Sequence, residues 1–207
     1  MAHGPLYRVG FRRRREGKTD YRRRLGLLKS GEARIVVRNS NSNVIVQFVN
    51  YNEAGDQVVA SAEARELPKM GYPAAGSNTP SAYLAGRLAA VRAKEAGIST
   101  GVLDLGRAQP HKGGVIFSAL KGVVDGGITV PAGDVFPTEE RLRAEHLGTE
   151  KAAAFAASYE RIVGSPLPPK AEKKPAKGKG APPAKGAPAA AKQQQKPAKE
   201  KKAKTPE

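Results

Sequence analysis

The sequence contains no cysteine, which excludes disulfides and thiolate metal sites as the means of holding the fold together. A reducing cytosol is compatible with that absence. No apolar run approaches the ~18 residues that a membrane-spanning helix needs, and the N-terminus is arginine-rich where a secretory signal would be apolar. The expectation is a soluble, cytoplasmic protein without a membrane partner. Catalytic signatures are equally scarce. There is no G-x-x-x-x-G-K-[ST], no G-x-G-x-x-G and no G-x-S-x-G, so the phosphate-loop, dinucleotide and hydrolase motifs are all missing. His3, His111 and His146 lie far apart and belong to no H-x-x-x-H pattern, so no metal is expected. The chain reads as a non-enzyme with no cofactor and no small-molecule substrate.

Two features come nearest to a site. Gly113-Gly114, after His111-Lys112, could offer backbone N–H groups to an anion at a helix start, although glycine pairs there are more often plain turns. Asp104, inside a buried-looking strand, could act as an acid or base, but a strand-end aspartate more often hydrogen-bonds a neighbouring loop.

Acidic residues are few where basic ones are dense. The 207 residues carry 36 Lys and Arg against 19 Asp and Glu, a net charge of +17. Residues 1–34 hold eleven basic and three acidic side chains, residues 165–207 hold twelve and three, and the stretch between is balanced at thirteen of each. All the excess lies on the ends. A neutral body with basic extensions fits a protein that attaches to a polyanion. A tail that aids solubility or meets an acidic membrane would share this pattern. Arginine at the front favours nucleic acid, because a planar guanidinium forks onto phosphate and stacks on bases.

Along the chain, Arg12 to Arg15 read as an arm, followed by a helix over Tyr21-Arg22-Arg23-Arg24-Leu25-Gly26-Leu27-Leu28. Thr19 is its expected cap, and Tyr21, Leu25 and Leu28 form the stripe expected to dock on the body. Arg34 to Arg38, Asn43 to Val49 and Gln57 to Ser61 are rich in β-branched residues and are joined by polar turns, which predicts an antiparallel three-strand meander. Asn78-Thr79-Pro80-Ser81 predicts a helix capped by Thr79, with Leu84, Leu88 and Val91 inward and Gly97 as its stop. That helix feeds the strand Gly101 to Leu105, so a crossover and a mixed sheet covered by helices follow. Further helices are expected over Val115 to Asp125 (Ile116, Leu120 and Val123 inward), after Val135, and from Thr149 (Phe155, Tyr159 and Ile162 inward). The fold class is α/β. The division expected is 1–33 as basic arm and helix, 34–164 as the folded domain, and 165–207 as a Lys/Ala/Pro-rich tail whose composition predicts disorder.

The order of these blocks resembles ribosomal protein eighteen of the large subunit in its archaeal form. The resemblance rests on the arginine-rich arm, Tyr21 to Leu25, the meander and Asn78 to Tyr83. It extends through Val102 to Gly106 and Gly126 to Pro131, covering roughly residues 5–164. It implies a structural, non-enzymatic protein of the central protuberance whose partners are 5S rRNA, the large-subunit rRNA and neighbouring ribosomal proteins. Carried over by position, it implies RNA contacts from Arg8, Arg12, Arg13, Arg14, Arg15, Lys18, Tyr21, Arg22, Arg23 and Arg24, and from Arg38, Asn39, Asn41 and Asn43 on the adjoining hairpin. Tyr7, Phe11 and Tyr21 are candidate stacking platforms for unpaired bases, with Tyr21 equally suited to a core role. The rival reading is a general nucleic-acid-binding or DNA-packaging protein, since the tail resembles linker-histone tails in composition.

Overall fold

Ile35 and Val37 alternate with Arg34, Val36 and Arg38, so one face of this strand is apolar and the other carries guanidiniums. These residues form β1 (Arg34–Asn39), which pairs antiparallel with β2 (Val44–Asn50); β2 pairs antiparallel with β3 (Gln57–Glu63). The meander predicted from the sequence is present. β4 (Val102–Asp104) lies parallel to β1, with Arg34 opposite Val102 and Val36 opposite Asp104, so the sheet is mixed, in the order β3-β2-β1-β4. The structure is a computed structural model that describes Gly4, residues 7–73 and residues 76–164, all within one unit, Met1–Lys170. The tail expected over 165–207 lies outside the described residues.

The helices are α1 (Arg12–Arg15), α2 (Tyr21–Leu28), α3 (Thr79–Glu95), α4 (Val115–Asp125), α5 (Glu139–Leu142) and α6 (Thr149–Val163), with 3-10 turns at Ala64–Met70 and Glu145–Leu147. Asn78, not Thr79, caps α3. Its backbone is extended, as a cap requires, and its side-chain oxygen accepts the Ser81 N–H at 2.8 Å. Thr79 is already the first helical residue. Among the described residues no helix is long and apolar enough to cross a membrane.

One layer of helices covers the apolar sheet face. Ile35, Val37, Val44, Val46, Phe48, Ala60 and Ala62 join Ala82, Leu84, Ala85, Leu88 and Ala89 of α3 in a single core, to which α6 adds Phe155, Tyr159 and Ile162. In α4, Leu120 and Val123 are buried as expected while Ile116 is only half-buried. The Tyr83 ring lies 5.9 Å from Phe155 and 6.4 Å from Tyr159. Its hydroxyl donates to Asp125 Oδ2 at 3.0 Å. Burial, and then that carboxylate, push the Tyr83 hydroxyl well above its ordinary pKa, so it remains a donor.

α3 can serve as the central helix because α4 crosses it backbone to backbone. A Cβ added at Gly86 would lie 2.1 Å from the Ala119 carbonyl oxygen, and one at Gly122 would lie 2.2 Å from that of Tyr83. Neither helix tolerates a side chain there. At its other end α3 is tied to the sheet by Arg92, which donates to Glu66 Oε2 and to the Ser61 carbonyl, both at 2.5 Å. The Arg92 hydrogen bond, helped by the Glu63 N–H and opposed by burial, holds the Glu66 carboxyl below its ordinary value of 4.5.

Gly86→Ala and Gly122→Ala are each expected to cost about 1–3 kcal/mol or more in urea unfolding, the scale of overpacking. Gly26→Ala, in α2 with nothing within 4 Å of an added Cβ, is expected to stabilise by about 0.5–1 kcal/mol. Because the folded-state pKa of Glu66 is depressed, its contribution is present above the ordinary carboxylate range and lost as pH falls through the folded value. Glu66→Gln should therefore lower stability at neutral pH and flatten the loss on acidification, measured by urea unfolding across the carboxylate range.

Candidate nucleic-acid interface

The arginine-rich segment is built by two short helices and the turn between them. Arg12 to Arg15, read from sequence as an arm, form the single turn of α1. Gly17, at φ 66°, reverses the chain. Asp20, not Thr19, then caps α2. Its Oδ1 accepts the backbone N–H of Arg22 at 3.0 Å and of Arg23 at 3.2 Å, while Thr19, one residue too early, accepts Arg13 Nε–H at 2.8 Å. These backbone hydrogen bonds, with Arg23 foremost, hold the Asp20 carboxyl below its ordinary range against a smaller desolvation effect.

A chain of ion pairs fastens α2 to the outer, polar face of the sheet. Arg24 Nη2 meets Asp56 Oδ1 at 2.9 Å, and Arg34 Nη2 meets Asp56 Oδ2 at 2.6 Å. Arg34 Nη1 meets Asp104 Oδ2 at 3.1 Å, and Arg38 Nη2 meets Asp104 Oδ1 at 3.5 Å. Arg38 also donates to the carbonyls of Asp104 at 2.8 Å and Val37 at 2.9 Å. Asp104 Oδ1 accepts the Gly106 N–H at 2.7 Å, so this aspartate is the loop-bonding residue favoured by the sequence. Arg23 Nη1 donates to the Gly106 carbonyl at 3.4 Å.

This attachment leaves the expected docking stripe only partly inward, with Tyr21 and Leu28 half-buried and Leu25 turned out. Arg24 faces the sheet, and Leu25, one position on, is 59% exposed; α2 has no fully buried residue. Tyr21 is half-buried against Phe11, ring centroids 5.2 Å apart and tilted by 49°, so these two platforms pack on each other. Tyr7 is exposed.

The arginines fall into two groups. Arg24, Arg34 and Arg38 are paired to carboxylates, and Arg12 and Lys18 share Glu16 at 3.5 and 2.9 Å on the surface. By contrast, Arg14, Arg22 and Arg107 have no side-chain hydrogen bond or ion pair with the described residues, and with Thr19, Asp20, Tyr21 and Arg23 they line a pocket of about 490 Å³. A second cleft of about 290 Å³ lies over the outer sheet face, where Arg13, Lys18 and Arg107 join the paired arginines, Val36, Gln47 and Val58. Arg8 and Arg15 are exposed.

The hairpin asparagines lie apart from these two clefts. Asn39 Oδ1 accepts from the Ser77 hydroxyl. Asn43, 5% exposed, donates from Nδ2 to Glu63 Oε2 at 3.0 Å. Asn41 sits exposed on the turn, and none of the three lines either cleft. Gly113 and Gly114 spend their N–H groups on the Val135 and His111 carbonyls, both at 2.9 Å, which makes that pair a plain turn. Sequence reasoning missed Arg34, Asp56 and Arg107. The one local signal for Arg107 was Gly106, whose φ of 60° bends the chain after β4.

Asp104→Ala should leave the buried Arg34 with Asp56 as its one carboxylate and release both Arg38 and the Gly106 N–H, lowering stability by about 3–5 kcal/mol, the scale for breaking a buried pair. Asp56→Ala, which leaves Arg34 its bond to Asp104, should cost less, about 1.5–3 kcal/mol. Urea unfolding of the two variants checks the order.

The sequence matches known proteins over most of its folded part. A family model described as ribosomal large subunit proteins 60S L5 and 50S L18 matches residues 6–98. The large ribosomal subunit protein uL18 of Korarchaeum cryptofilum is 50% identical over 161 residues, covering 77% of this chain and 80% of the relative. That of Methanoregula boonei is 45% identical over 166 residues, covering 79% and 95%. That of Methanothermobacter thermautotrophicus is 48% identical over 148 residues, covering 71% and 77%. These relatives are ribosomal proteins and not enzymes. With the mixed sheet and the basic face already in place, the chain belongs to the uL18 family of large ribosomal subunit proteins.

Proposed function

We propose that this protein is a structural constituent of the large ribosomal subunit that binds 5S rRNA and helps attach it to the large-subunit rRNA in the central protuberance, beside neighbouring ribosomal proteins. The observation that carries this reading is the set of guanidiniums of Arg14, Arg22 and Arg107, without a hydrogen-bond or ion-pair partner among the described residues and gathered beside a sheet face on which Arg24, Arg34 and Arg38 are paired to carboxylates. Like charges held together with too little counter-charge repel, and a polyanion relieves them while releasing its own counterions. The basic side chains of Arg8, Arg12, Arg13, Arg15 and Lys18 extend that surface.

Recognition is mainly of shape. A-form RNA hides its base edges in a deep, narrow groove, so a rigid basic face selects junctions and loops over duplex sequence. In this reading residues 1–33 supply most of the contacts, residues 34–164 hold them in place and add Arg107 and the hairpin residues Arg38, Asn39, Asn41 and Asn43, and the lysines of 165–207 add sequence-independent attraction. The composition of that last segment also suits a general nucleic-acid binder, and competition separates the two. The full chain should prefer 5S rRNA to a length-matched duplex DNA by about 10³ or more at matched salt; equal affinity for both would favour the general binder. Arg13→Glu combined with Arg14→Glu should weaken 5S rRNA binding and flatten the plot of log K against log salt by roughly 0.7–0.9 for each phosphate that is no longer neutralised. An unchanged slope would contradict the assignment of these residues.

A further inference from the structure

The pocket beside α2 has a shape that general attraction to a phosphate backbone does not require. Arg14 comes from α1, Arg22 and Arg23 from the first turn of α2, and Arg107 from the loop after β4; together with Thr19, Asp20 and Tyr21 they line a half-open pocket of about 490 Å³. That volume falls in the ~300–1,000 Å³ range of sites that hold a small ligand. Four guanidiniums face one carboxylate. Asp20 is already engaged by two backbone N–H groups and by Arg23 Nε at 3.6 Å, and it reaches Arg107 only through longer-range attraction. The pocket is therefore short of negative charge by construction.

A paired strand cannot supply that charge from inside a pocket. Its phosphates lie along the outside of the helix with the bases stacked behind them, and such a surface would rest across the rim. An unpaired nucleotide can enter, since its base leaves the stack with the phosphate beside it. Tyr21 gives the pocket an aromatic wall and Phe11 backs that ring. Arg23, held by Asp20 and the Gly106 carbonyl, is a fixed part of the lining.

We propose that this pocket takes a single extruded nucleotide of the bound RNA, with its phosphate on Arg14, Arg22 and Arg107 and its base against Tyr21. The proposal rests on the RNA-binding reading and narrows it to one unpaired position. Arg107 is the lining residue from outside the N-terminal segment, so the nucleotide also ties that segment to the loop that follows the sheet.

The test is base-reactivity footprinting of 5S rRNA with the full chain, alongside affinity and thermal unfolding for Arg107→Ala, Tyr21→Leu and Tyr21→Phe. The native chain should protect an unpaired base from base-directed reagents. Arg107→Ala and Tyr21→Leu should restore that base's reactivity and weaken binding by roughly 5- to 150-fold, the range of one base–aromatic stack. Tyr21→Phe, which keeps the ring, should retain the protection. Unchanged reactivity at every unpaired base overturns the pocket even if the variants fail to fold, because the native chain alone gives that result, and it leaves the RNA-binding reading standing. No preference for 5S rRNA over duplex DNA overturns the reading on which the pocket rests.

Discussion

Arg34 is 3% exposed, and a guanidinium does not shed its charge by losing a proton. Its burial is tolerable only because two carboxylates, Asp56 at 2.6 Å and Asp104 at 3.1 Å, meet it on the outer face of the sheet. Much else hangs from those two aspartates. Asp56 also holds Arg24 and so fixes α2; Asp104 also holds Arg38 and the Gly106 N–H, and so fixes the turn that delivers Arg107. The charges on this face thus come in two kinds. Those matched by carboxylates build the platform, and those left unmatched project from it.

The apolar side of the sheet makes that platform rigid. α3 is buried over most of its length, and it accepts α4 at backbone contact through Gly86 and Gly122. Interiors packed this closely transmit strain and do not absorb it. The sheet therefore presents its outer face with little freedom, which suits a surface that selects RNA by shape. Arg92 completes the arrangement by bridging Glu66 and the Ser61 carbonyl, which leaves the edge strand β3 fastened to the central helix.

Much of this fold was legible because its signals are local. Alternation of β-branched residues gave β1, β2 and β3. Helical spacing gave α4 at Val115–Asp125 and the stripe Phe155, Tyr159 and Ile162 of α6. The caps were misplaced by one residue at both Thr19 and Thr79, because the choice between adjacent oxygen-bearing side chains depends on which backbone is extended. The outward turn of Leu25 could not be read at all. It follows from Arg24 and Asp56, which lie 32 positions apart, as Arg34 and Asp104 lie 70 apart. Periodicity within one element carries no information about such pairs. The same gap hid Arg107. The arginine run announced a polyanion but could not say which of its members would be consumed in holding the fold.

That division is the central claim, and it is tested most directly by measuring unfolding free energy and 5S rRNA affinity in parallel for single Arg→Gln variants at positions 14, 22 and 34. The account predicts that Arg14→Gln and Arg22→Gln weaken RNA binding with unfolding free energies within about 0.5 kcal/mol of the native chain, as for ordinary surface changes, whereas Arg34→Gln loses several times that in stability. Stability losses of similar size at all three positions, or RNA affinity untouched at Arg14 and Arg22, would contradict it.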